Sequence, residues 1–164
     1  MKNFFKFFFK IYRKYRNYRY LKKHFPNIKF DKNWYENILL NTPIYLCKLE
    51  RIKLKYIKCL ILIDGKWVPS PINQSPDYKY LISGERQVYI KYHEYYNETQ
   101  KEKHNHSCEN FEMLVNSLKE VGYDSTNPIC VNKNNEIIDG QHRASYLLKE
   151  FGEDYEITVF KIYY

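Results

Sequence analysis

Between Pro128 and Ile162 the apolar residues change their period twice, and this constrains the fold more than any other feature of the 164 residues. Pro128-Ile129-Cys130-Val131 reads as a short strand, Lys133-Asn134-Asn135 as a tight turn, and Glu136-Ile137-Ile138 as a second strand ending at Asp139-Gly140. Past the glycine the spacing becomes helical: Ala144, Leu147, Leu148 and Phe151 share one face of a helix over 142–151, and Glu156–Ile162 closes with a strand. Upstream, Ser107 or Glu109 opens a helix through residues 109–121, with Phe111, Leu114, Val115 and Leu118 inward and Gly122 as its stop. Strands and helices mixed in this way predict an α+β domain, a small mixed sheet flanked by helices.

The middle of the chain reads less sharply. Residues 44–63 are rich in Ile, Leu and Tyr with partial alternation and predict one or two strands; Asp64-Gly65 is a hairpin turn before Lys66-Trp67-Val68. Three prolines mark 69–77 as a loop, and 85–97 predicts a helix with Val88, Tyr92 and Tyr95 inward. A short helix is expected over 33–40. The polar run 98–108 reads as an exposed loop; its His104, His106 and Cys108 lack the paired spacing of a structural zinc site. The four cysteines (Cys47, Cys59, Cys108, Cys130) are scattered, as reduced thiols of a cytoplasmic protein would be.

Charge is segregated. Residues 1–23 hold nine Lys/Arg and no acid, which leaves 18 of the 27 basic residues to face 19 acids over the rest of the chain. The +8 net charge is therefore an N-terminal arm ahead of a near-neutral body, whereas a duplex-binding domain carries its basic footprint on the body. Phe4, Phe8, Ile11, Tyr15, Tyr18 and Phe25 recur at helical spacing before Pro26, so residues 1–26 form a basic amphipathic helix and 27–164 the domain. Its aromatic stripe suits the anionic inner face of a membrane, or equally a face of the body or of a second copy. Lys6 and Lys10 interrupt the apolar run Phe4–Ile11, and no small-residue cleavage site follows, so neither a membrane span nor a secretory signal is expected.

The chemistry concentrates at Ile137–Ala144. A strand feeding a helix through glycine favours phosphate: the first helical N–H groups lack partners within the helix, and the macrodipole adds partial positive charge. Gly140 permits close backbone approach, Gln141, His142 and Arg143 add donors, and Asp139 is placed to hold a magnesium ion or handle a proton. Taken alone, an Asp-Gly is a turn or a cap and the arginine a partner for a surface acid; the four residue types together favour a site. Glu85, in Gly84-Glu85-Arg86, is the candidate second acid, although an acid in the first turn of a helix needs no catalytic role to be favourable.

Residues 109–162 resemble the ParB/sulfiredoxin-like fold, on the helix ending at Gly122, the Pro128–Val131 strand, the Asn132–Asn135 turn and the Ile137–Arg143 loop. Sulfiredoxins place a catalytic cysteine between the glycine and histidine of that loop; Gln141 stands there, which excludes sulfinic-acid repair. ParB partitioning proteins carry Gly-Glu-Arg-Arg and a helix-turn-helix domain, neither of which is expected here. Asp139-Gly140-Gln141-His142-Arg143 differs at one position from the Asp-Gly-His-His-Arg of free-serine kinases. That resemblance implies phosphates held by 140–143, ATP, ADP or CTP as nucleotide, magnesium, and a small hydroxyl-bearing acceptor. Gly122-Tyr123-Asp124 with the same loop is also similar to proteins associated with surface-polysaccharide genes. The expectations that follow are a nucleotide-dependent phosphotransferase or a nucleotide-binding regulatory module without turnover, and less so a DNA-acting nuclease or partitioning protein.

Overall fold

The computed structural model describes residues 2–29, 44, 46–100 and 107–164, with side chains from residue 9 onward except at residue 100. The elements are α1 (Lys2–His24), β1 (Leu46–Lys53), β2 (Lys58–Ile63), β3 (Lys66–Pro71), α2 (Pro76–Ser83), α3 (Arg86–Gln100), α4 (Cys108–Val121), β4 (Ile129–Asn132), β5 (Ile137–Asp139), α5 (Gln141–Phe151) and β6 (Glu156–Tyr163). The fold is mixed α and β. Among the described residues no helix is long and apolar enough to cross a membrane.

One sheet runs in the order β1-β6-β4-β5: β1 pairs antiparallel with β6, β6 parallel with β4, and β4 antiparallel with β5. The hairpin β2–β3 forms a second sheet, which meets the first where Lys58 bridges to Glu136. Its turn is the predicted one, with Asp64 and Gly65 at φ 49° and 73°. Alternation along β4 and β6 sends their side chains to opposite faces. Ile129, Val131, Ile157 and Val159 join the main core with the inner faces of α2–α5. Cys130, Phe160 and Ile162 face the other way, under the end of α1. With both faces covered, every residue of β4 is buried.

Four expectations change. Pro69 and Pro71 lie within β3 of the two-stranded sheet, where a strand has an edge on which a missing N–H is tolerated. The third proline, Pro76, opens a helix: Ser75 caps it by accepting from the Tyr78 N–H, and a proline at the first position loses no hydrogen bond. In α3 the inward face is Tyr89 and His93; Tyr92 is half-buried, and Val88 and Tyr95 are peripheral. Phe151, expected in the core, stacks on Tyr155 at the surface with ring centroids 4.4 Å apart. The polar run 98–108 is helical at both ends, since α3 reaches Gln100 and Ser107 caps α4. The rest of that run, and the helix expected over 33–40, lie outside the described residues.

Candidate functional site

A cavity of about 620 Å³ opens over the β5–α5 junction, within the range of small-molecule sites. All five residues from Asp139 to Arg143 line it. Gly140 is the N-cap of α5 at φ 95° and brings no side chain to the cap, so capping there is left to the backbone. Trp67, Tyr92 and Tyr96 form an aromatic wall, Trp67 and Tyr96 meeting edge to face at 5.7 Å. Leu60, Leu114 and Ile138 complete an apolar side.

The side chains of the junction turn inward. Arg143 Nη2 donates to Asp139 Oδ2 at 2.7 Å one helical turn away, and Nη1 donates to the Asn127 carbonyl. The expected phosphate-gripping arginine is thus engaged by Asp139 of its own loop and by Asn127 ahead of β4, and the Asp139 charge is balanced. Gln141 Nε2 donates to Asp77 Oδ2 at 2.9 Å. His142 Nε2 lies 3.6 Å from Asp77 Oδ1 and 3.2 Å from the Tyr89 hydroxyl, with its ring 4.7 Å from that of Phe111. His93 reaches the same Asp77 oxygen from α3, Nε2 to Oδ1 3.5 Å.

Asp77 was not among the expected site residues, and the structure makes it the hub. It sits in the first turn of α2, where a helix N-terminus favours an anion. The buried Ser75 and Ser145 hydroxyls, 3.0 Å apart, join that helix start to α5. Burial opposes ionisation of the fully enclosed carboxyl, but the facing His142 and His93 imidazoles and the Gln141 amide outweigh it and hold Asp77 below the usual carboxylate range. Burial, only partly offset by Asp77, pushes His142 below the ordinary imidazole range.

Glu85 is exposed in the turn between α2 and α3, outside the cavity lining; its amide is held by the Ser83 hydroxyl at 3.0 Å. Its neighbour Arg86 forks onto Glu112 of α4 at 2.8 and 2.9 Å. Among the described residues, the acids lining the cavity are Asp77 and Asp139. The Gly122-Tyr123-Asp124 segment acts as a strut: the Tyr123 hydroxyl accepts from Ile129 N at 2.8 Å and donates to the Thr158 carbonyl at 2.9 Å. Asp124 folds the turn that follows by accepting from Thr126. A sign of Asp77 was present in Ser75-Pro76-Asp77, a helix-start pattern obscured by the prolines around it.

Comparison of the chain with protein-family models, curated proteins and solved structures finds no match.

Proposed function

We propose that the chain binds a nucleotide, with its phosphates at the N-terminus of α5 and its base against Trp67, Tyr92 and Tyr96, and that it transfers phosphate to a small hydroxyl compound. The observation that carries this reading is a helix start with no capping side chain, behind a glycine, facing a cavity with an aromatic wall. Backbone N–H groups and the helix dipole supply the anion site. Because Arg143 neutralises Asp139, the loop presents no net negative charge to a phosphate.

Magnesium carried on nucleotide phosphates needs only one or two protein carboxylates, and the half-exposed Asp139 in the cavity lining is of the right kind. Such an ion would balance charge on the transferring group. Glu85 is given no part, because it lies outside the cavity. A nucleotide-binding module without turnover shares every binding feature; a setting in surface-polysaccharide synthesis would be met by a sugar or polyol acceptor.

The test is a titration of the protein with ATP, ADP, CTP and GTP plus magnesium, read by thermal stability and by tryptophan fluorescence, since Trp67 lines the site. A raised melting temperature with quenching for at least one nucleotide is expected, and phosphorus NMR with candidate hydroxyl acceptors then separates transfer from binding alone. No shift and no quenching at millimolar nucleotide would refute the site.

A further inference from the structure

The floor of the cavity holds a group that nucleotide binding does not use. Asp77 from α2, His93 from α3 and His142 from α5 converge there, and a donor atom from each lies within 4.8 Å of the other two. Asp77 is fully buried, and Gln141 holds its Oδ2. Its Oδ1 has no hydrogen bond of normal geometry among the described residues, although two imidazole nitrogens stand 3.5 and 3.6 Å away. A buried carboxylate oxygen left in that state is costly. Direct charge-assisted hydrogen bonds would draw the nitrogens in to about 2.8 Å. Donors placed around one tetrahedral zinc ion at its usual bond lengths stand about 3.4 Å apart, close to both observed separations.

We propose that Asp77, His93 and His142 bind a divalent transition-metal ion, zinc by their donor set, with a further coordination position open to the cavity. Two imidazoles and one carboxylate suit zinc, whereas magnesium takes oxygen ligands. Three protein ligands are the number that leaves a place for water or a substrate. Part of an outer shell is in place. The Gln141 amide orients the carboxylate, and Tyr89 packs on His93 with ring centroids 4.2 Å apart. Tyr89 also borders His142, its hydroxyl beside the nitrogen that would turn to the ion. Because the ligands come from three helices, bound metal ties α2, α3 and α5 together and stabilises the fold.

Full-length protein stripped with a chelator is titrated with zinc chloride against a chromophoric chelator, and its melting temperature is followed. One zinc per chain at micromolar affinity or tighter, with a raised melting temperature, is expected. His93→Gln and Asp77→Asn are each expected to weaken binding about 100-fold or more, since even outer-shell changes cost 10- to 100-fold. A His104→Gln/His106→Gln double variant is expected to bind as the wild type does. Should the buried variants not fold, X-ray absorption on zinc-loaded wild type decides: two imidazoles with oxygen support the site, and sulfur ligation or a single imidazole overturns it. Wild type that does not bind zinc, or folded His93→Gln with unchanged affinity, also overturns it. Nucleotide binding is measured separately with transition metals chelated, so either proposal can fail without the other.

Discussion

Gly140 is required twice over. Its φ of 95° disfavours any side chain, and an added Cβ would stand 2.9 Å from Arg143 Nη2 and 3.0 Å from Ile129 Cγ1. Neither neighbour can readily move aside: Arg143 is held by Asp139 and the Asn127 carbonyl, and Ile129 is fully buried. Gly84, the C-cap of α2 at φ 74° and ψ 1°, gives a control, since nothing lies within 4 Å of its Cβ position. Gly84→Ala is expected to cost about 1–2 kcal/mol of left-handed strain. Gly140→Ala should cost roughly 1–3 kcal/mol more, the scale of core overpacking. Urea denaturation of both variants measures the difference, and equal costs would mean that the close approach is absent in solution.

At the scale of the element, α1 divides in two. Its last turns and the residue after it belong to the fold: Asn17 and Leu21 are buried, Tyr20 accepts from the Cys47 N–H, and Phe25, just past the helix, meets Phe160 edge to face at 5.0 Å. The docking face takes only Phe25 from the expected stripe and adds Asn17 and Leu21, while Ile11, Tyr15 and Tyr18 remain exposed beside Lys and Arg. Body packing and an outward aromatic face therefore coexist on one helix. Leu21→Ala is expected to destabilise by about 2–4 kcal/mol, as for other buried leucines. Removing residues 1–12 takes away three cations, Lys2, Lys6 and Lys10, and should leave the melting temperature unchanged. If the outward face docks on an anionic leaflet, each cation contributes about 1 kcal/mol, and this truncation weakens salt-sensitive sedimentation with anionic vesicles. A full-length protein that ignores such vesicles rules out the membrane role.

Across the whole molecule, the four thiols report on both sides of the sheet. Cys47 and Cys130 lie on the α1 side, Cys59 and Cys108 in the main core, and all four are free and buried. Burial pushes the Cys47 and Cys59 thiols up to about 12 and Cys130 well above its ordinary value. The reactive thiolate is therefore scarce at neutral pH. Native protein should resist iodoacetamide at pH 7.5 and take up four equivalents in guanidinium, counted by mass spectrometry. Rapid modification of Cys47 and Cys130 alone would mean that α1 leaves the sheet in solution.

What the sequence determined alone lies where local signals agree. The Asp64-Gly65 turn, the Ser107 cap, the Gly122 stop and the run from Ile129 to Tyr163 follow from residues that are neighbours along the chain. The strand–glycine–helix junction was legible for the same reason, since Gly140 and the apolar period of α5 are local facts. Partnership was not legible. Arg143 turns to Asn127 and Asp139 instead of outward, and Glu85, placed by spacing in a helix start, faces solvent away from the cavity. Asp77, His93 and His142 lie up to 65 positions apart and belong to three helices whose packing alone brings them together. Periodicity reports which side chains turn inward, and only the tertiary structure decides which of those inward side chains meet.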